Sequence, residues 1–223
     1  MPVALYQPLK VCMLNIDEEL LDTIADALVD PGYVVLERVI PHELLDSLLM
    51  YFNAMDADEF KRAGIGRQAN FQLQEAVRSD HIHWLGNTAQ SEQDVIVQFL
   101  AWMEQIRVGI NRRLFLGLFD YESHFARYAA GAFYKKHMDA FGGHKQGQLN
   151  RVLSTVLYLN ENWCDSDGGE LVLYAEDDDQ PLQKISPTFG RLIIFLSEKF
   201  PHEVLPATRE RKSIAGWFRV NNH

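Results

Sequence analysis

Hydrophobic positions in the first half of the chain recur at helical spacing. Leu20, Leu21, Ile24, Ala25 and Leu28 fall on one face of a helix, and Asp30-Pro31-Gly32 ends it. Tyr33 to Leu36 is a short β-branched run that predicts a strand. Pro41 supplies a start for a second helix, with Leu44, Leu45, Leu48, Leu49 and Phe52 as its apolar stripe. A third helix is predicted over about Glu92 to Val108, turning Val95, Ile96, Phe99, Leu100, Met103 and Ile106 inward. Such stripes are packing surfaces first, and the same pattern would serve a homodimer interface. Between the second and third helices, Lys61 to Gly86 is polar and holds three glycines and the run Arg78-Ser79-Asp80-His81-Ile82-His83-Trp84. A short strand pair and a mobile loop are predicted there.

The second half changes period. Strands are predicted over Ser123 to Tyr128, Phe133 to Asp139, Arg151 to Asn160, Glu170 to Tyr174, Arg191 to Leu196, His202 to Val204 and Ser213 to Val220. Turn signals such as Asp167-Gly168-Gly169 and Thr188-Phe189-Gly190 separate them, a layout that fits a sandwich or barrel. Helix patterns between the strands are absent, which argues against a doubly wound parallel sheet. Asp177-Asp178-Asp179 is a solvated acidic turn. No internal repeat is visible. The switch near Asp120 marks a change of layer within a single domain spanning 1–223, with a helix-rich support over about 1–120 and a β core over about 121–220.

Composition narrows the function classes. Apolar residues make up 47% of the 223, enough for a sizeable core. The formal net charge of -10 argues against general affinity for nucleic acid or anionic lipid, since both require clustered Lys and Arg. Cys12 and Cys164 lie far apart and form no CxxC pair, so neither a disulfide framework nor cysteine-held zinc is expected. That usage suits a cytoplasmic location. Met1-Pro2-Val3-Ala4-Leu5 lacks a signal-peptide pattern, and no apolar run approaches the length of a membrane span.

Eight histidines make chance groupings a real consideration, and two features single out His137. Tyr134-Lys135-Lys136-His137-Met138-Asp139 reads as strand, and residues two apart on a strand share a face. An imidazole and a carboxylate are thus presented together. His202 follows an apolar strand after a short loop, and an antiparallel barrel can bring it opposite that pair. Two imidazoles and one carboxylate leave open positions on a metal, the arrangement of non-haem iron(II) oxygenases. A zinc hydrolase can use similar ligands, so the donors alone leave the metal open. Arg211 lies nine positions on (211 − 202 = 9) and shares a strand face with Ser213. A guanidinium there can grip a carboxylate in a forked geometry, although an exposed strand-end arginine gives the same pattern.

His137-Met138-Asp139, then His202, then Arg211-Lys212-Ser213 resembles the HxD…H…RxS pattern of 2-oxoglutarate-dependent iron(II) oxygenases. The resemblance is nearest to the prolyl 4-hydroxylases that modify hypoxia-inducible factor and to their bacterial relatives. Pro201-His202-Glu203-Val204-Leu205-Pro206 is similar to the segment around that branch's second iron histidine. Tyr158-Leu159-Asn160 with Trp163 and Gly168-Gly169 is similar to its central strand and turn. The run Arg78 to Trp84 resembles the strand ahead of its mobile substrate loop, and Tyr128 through His137 its approach to the first ligand. The likeness covers roughly residues 30 to 220. The loop Ala140 to Gly147 departs from the pattern, and its His144 is a competing ligand by type, set among glycines.

The resemblance implies an α+β fold with a double-stranded β-helix, or jelly-roll, core and supporting N-terminal helices. It implies Fe(II) held by His137, Asp139 and His202, and 2-oxoglutarate held by Arg211 and Tyr158. Tyr128 would lie near both, Trp217 would wall the pocket, and Ser213 is a further co-substrate candidate. Dioxygen would be the other co-substrate, with ascorbate stimulatory. The implied reaction is prolyl hydroxylation with formation of succinate and carbon dioxide. A proline-containing protein is the implied partner, elongation factor Tu being the first to try. Two alternatives stand beside this: hydroxylation of free proline or another small molecule, for which a closed pocket would speak, and a non-catalytic 2-oxoglutarate or oxygen sensor, which would bind without making succinate.

Overall fold

The computed structural model describes residues 15–64, 76–86, 94–140, 149–176 and 178–221. Among them are α1 (Glu18–Val29), β1 (Tyr33–Glu37), α2 (His42–Ala54), β2 (Lys61–Arg62), β3 (His81–Trp84), α3 (Asp94–Leu114), β4 (Asp120–Tyr128), β5 (Tyr134–His137), β6 (Leu149–Tyr158), β7 (Leu171–Tyr174), β8 (Pro181–Ile185), β9 (Arg191–Leu196), β10 (His202–Val204) and β11 (Arg211–Asn221). No described helix is long and apolar enough to cross a membrane.

The strands build two antiparallel sheets. The major one has the order β1-β9-β6-β11-β4-β3-β2 and the minor one β5-β10-β7-β8. Alternation along the major-sheet strands then separates two cores. Ala126, Tyr128, Tyr158, Ile193 and Phe195 face Leu171, Leu173 and Val204 of the minor sheet. Their chain neighbours Phe125, Leu157, Leu192 and Ile194 turn the other way, into a core shared with all three helices. This is the expected α+β jelly roll with helices backing one sheet.

The helices bury the faces their spacing predicts. Asp17 caps α1 by accepting from the Glu19 amide at 3.1 Å, and Leu21, Ile24, Ala25 and Leu28 are buried. Gly109 of α3 lets α1 approach closely, since a Cβ there would lie 2.6 Å from Leu21. Arg113 ties the same two helices by ion pairs to Glu18 at 2.7 Å and Asp22 at 2.6 Å. On α2, Phe52 meets Phe125 of β4 edge-on at 5.2 Å. Fully burying a side chain of that size contributes about 1.5–3 kcal/mol, so this contact helps fix the helical layer to the sheet that carries the site.

Several boundaries differ from the sequence reading. α3 runs to Leu114, six residues beyond Val108 (114 − 108 = 6), because Ile110 extends the buried stripe. Its predicted start at Glu92 lies outside the described residues. β8 was not predicted: Pro181 to Lys184 are exposed on an edge strand and show no apolar alternation. The strand pair expected within Lys61 to Gly86 exists as β2 with β3, Lys61 opposite Ile82; the loop placed between them falls at 65–75, outside the described residues, as do His144 and Asp177. β5 ends at His137, so Asp139 follows the strand instead of lying on it. The helix-rich half also supplies three strands, β1, β2 and β3, to the major sheet.

Candidate active site

β10 pairs with β5 in a register that sets His202 directly opposite His137. The two imidazole centroids are 4.3 Å apart. Asp139 completes the group, with Oδ1 3.8 Å from His137 Nε2 and Oδ2 3.5 Å from His202 Nε2. One donor atom from each residue lies within 4.8 Å of the others. Donors around one ion at bond lengths of about 2.1 Å are a few ångströms apart, so the spacing suits a single metal.

Backbone carbonyls set the histidine tautomers. His137 Nδ1 is 2.7 Å from Lys135 O, and His202 Nδ1 is 3.0 Å from Phe200 O. A carbonyl only accepts, so each Nδ1–H donates, which leaves Nε2 as the nitrogen able to offer a lone pair to a metal. Burial and the neighbouring His202 push the His137 pKa down to about 3, which leaves its imidazole neutral. Burial works against ionisation of Asp139, but His202, His137 and Arg151 outweigh it and hold the carboxyl below the usual carboxylate range. Two imidazole Nε2 atoms and one anion form a donor set suited to a divalent ion.

A bulge supports this arrangement. Between the pairs His202↔His137 and Val204↔Tyr134 the register slips by one, so β5 carries an extra residue. Tyr134 and His137, three apart, therefore share a face, and their rings stack at 3.5 Å and 14°. The Arg78 guanidinium lies 4.2 Å from the Tyr134 centroid and is held by buried Asp80 at 2.6 Å.

The major sheet provides the rest of the cavity. Arg211 opens β11 opposite Tyr128 of β4, and Ser213 lies opposite Tyr158 of β6. The Arg211 guanidinium sits 5.0 Å from the centroid of each tyrosine ring. Its Nε donates to Gly169 O at 2.9 Å and its Nη1 to Ser213 Oγ at 3.3 Å. It is 1% exposed, and no acidic partner occurs among the described residues. Arg211 Nη2 and Tyr158 Oη are both buried without a hydrogen bond. Burial raises the Tyr158 phenol against the opposing pull of Arg211, so it remains a protonated donor. A buried cation and a buried phenol with unused donors fit one incoming carboxylate.

Gly169 makes this end possible. Its φ is +72°, and a Cβ would lie 2.8 Å from the Ala207 Cβ and 3.4 Å from the Arg211 Cδ. Gly169→Ala is expected to cost about 1–3 kcal/mol of stability, read by urea unfolding, and to weaken carboxylate binding by displacing Arg211.

All eight predicted site residues thus gather at one place. His137, Asp139, His202, Arg211, Ser213, Tyr128 and Trp217 line a cavity of about 770 Å³, with Tyr158 buried behind it. Trp217 walls it, with its indole N–H buried and without a hydrogen-bond partner. The sequence reading missed Ser154, which hydrogen-bonds Asp139 at 2.7 Å. It also missed His124, whose pKa burial pushes down to about 4 and whose ring packs between Trp84 and Trp217 at 5.0 and 5.5 Å. The available signal was parity, since Ser154 and Tyr158, like His124 and Tyr128, share a strand face.

Residues 123–219 match the 2OG-Fe(II) oxygenase superfamily. A Caenorhabditis elegans hypoxia-inducible factor prolyl hydroxylase is 34% identical over 156 residues, covering 64% of this chain, which spans only 20% of that relative's length. The crystal structure of a Pseudomonas putida prolyl-4-hydroxylase superposes with a TM-score of 0.77 at 38% identity, over 90% of this chain and 99% of that one. A Trichoplax adhaerens prolyl hydroxylase, solved with a hypoxia-inducible factor peptide fragment, gives 0.78 at 26% identity over 94% and 93%. With the bacterial likeness running nearly end to end in both proteins, the chain belongs to the 2-oxoglutarate- and Fe(II)-dependent oxygenase superfamily.

Proposed function

We propose that this chain is a prolyl 4-hydroxylase of protein substrates, acting in the cytoplasm, with elongation factor Tu as the first substrate to test. His137, Asp139 and His202 hold Fe(II), and Arg211 with Tyr158 holds the far carboxylate of 2-oxoglutarate, Ser213 steadying the arginine. Bound iron supplies the oxidation, in which dioxygen, 2-oxoglutarate and a C–H bond give an alcohol, succinate and carbon dioxide. The chain fixes the co-substrate from its far end, so that its reactive end is directed at the three donors. Tyr128, Trp217 and His124 shield that region from water. The observation that carries the reading is the buried pair of unused donors, Arg211 Nη2 on the cavity lined by the three ligands and Tyr158 Oη behind it.

A polypeptide substrate is favoured by the cavity's reach. Its lining continues from the ligands to exposed Lys61, Arg62 and Trp84 on β2 and β3. Free proline would leave that extended rim without a role. The Trichoplax protein, solved with its peptide, supplies a precedent for a bound chain. Incubating the protein with Fe(II), 2-oxoglutarate, ascorbate and elongation factor Tu is expected to add one oxygen to a proline and release one succinate per event, read by mass spectrometry. An unmodified elongation factor removes that substrate. Succinate release stimulated by free proline and by no polypeptide removes the protein-hydroxylase reading.

A further inference from the structure

Two buried hydroxyls stand behind the metal site, and no other role in the site requires them. Ser154 lies on β6 at the parity of Val156 and Tyr158, and Ser197 follows the last residue of β9. They are 1% and 0% exposed. Ser154 Oγ is 2.7 Å from Asp139 Oδ2 and 2.9 Å from Ser197 Oγ. Chemistry fixes the direction of this chain. An ionised carboxylate only accepts, so Ser154 spends its one proton on Asp139 and must accept from Ser197. The donor reaching Asp139 is strengthened by the one behind it.

We propose that Ser154, reinforced by Ser197, is a positioning residue that restrains Asp139 Oδ2 and so makes the carboxylate a one-oxygen ligand through Oδ1. This rests on the assignment of His137, Asp139 and His202 as metal ligands. A carboxylate can bind an ion through one oxygen or both. The difference matters here because 2-oxoglutarate chelates through two atoms and dioxygen requires a further position. Two imidazoles plus a one-oxygen carboxylate leave three positions open, whereas a two-oxygen carboxylate leaves two. Ser154 thereby acts on co-substrate binding without itself touching metal or co-substrate.

The role separates two affinities that a general loss of structure would lower together. Calorimetry would measure Mn(II) binding, then 2-oxoglutarate binding to the Mn(II)-loaded chain, with no turnover involved. Ser154→Ala is expected to lower the 2-oxoglutarate affinity about tenfold and to leave the Mn(II) affinity equal or higher. Ser197→Ala should shift the same quantity by only about two- to threefold, because Ser154 still donates. Ser154→Thr, which keeps the hydroxyl, should restore the wild-type value. Unchanged 2-oxoglutarate affinity in Ser154→Ala overturns the proposal, as does a parallel fall of both affinities with the melting temperature. A wild-type chain that binds no Mn(II) overturns the ligand assignment beneath it.

Discussion

Asp139→Ala is expected to abolish 2-oxoglutarate turnover and to lower metal affinity by more than about 100-fold. The reason is charge. His137 is held neutral by burial, and both histidines would meet an ion through Nε2, since each Nδ1 faces a backbone carbonyl. Asp139 is the one carboxylate among the three donors. Removing it leaves a dication facing two imidazoles with no anion beside them, at a largely buried site where uncompensated charge is costly. His137→Ala also removes turnover but keeps the anion, so its effect on metal affinity should be the smaller. Asp139→Asn keeps the shape and tests charge directly. Mn(II) calorimetry and succinate release measure both effects; substrate-dependent succinate formation persisting in Asp139→Ala would contradict the assignment.

Much of this site was legible because its signals are local. His137 and Asp139 are two apart, and period two predicts a shared face even though β5 stops at His137. Arg211 and Ser213 do lie on β11 with their side chains on the cavity face. The helical stripes foretold the buried faces of α1 and α2 because amphipathic spacing follows from backbone geometry alone. What stayed hidden depends on long-range pairing. The one-residue slip that stacks Tyr134 on His137 exists only when β10 is laid against β5. The carbonyls of Lys135 and Phe200, which set the tautomers, carry no side-chain signature. Ser154 and Ser197 sit in apolar runs, where a lone serine is easily passed over as filler. β8 shows no alternation because it is an edge strand with an exposed face, recognisable only through its partner β7. The donors alone also left a zinc hydrolase open, and family membership closes that choice in favour of iron.

Replacing Arg211 by Met should separate function from stability in opposite directions. Two charge-assisted hydrogen bonds to a carboxylate together contribute about 3 kcal/mol or more, so affinity for 2-oxoglutarate should fall at least about 100-fold. Metal affinity should hold, since the arginine bonds Gly169 O and Ser213 Oγ and none of the three donors. The ligand-free fold should gain. A guanidinium 1% exposed, with no acid beside it among the described residues and one nitrogen unbonded, is a desolvated charge that no described side chain neutralises. The flanking rings of Tyr128 and Tyr158 offset part of that cost. Met fills similar volume without the charge, so the melting temperature without co-substrate should rise by a few degrees. The same excess of 2-oxoglutarate should then stabilise the wild type far more than the variant, because binding to the folded state alone raises its stability with the logarithm of ligand concentration over dissociation constant. Arg211→Lys keeps a point charge and loses the fork, so its affinity should fall between the two. A melting temperature that drops in Arg211→Met would mean the cation is compensated in the free chain, and the case for a cavity that receives a carboxylate would fail with it.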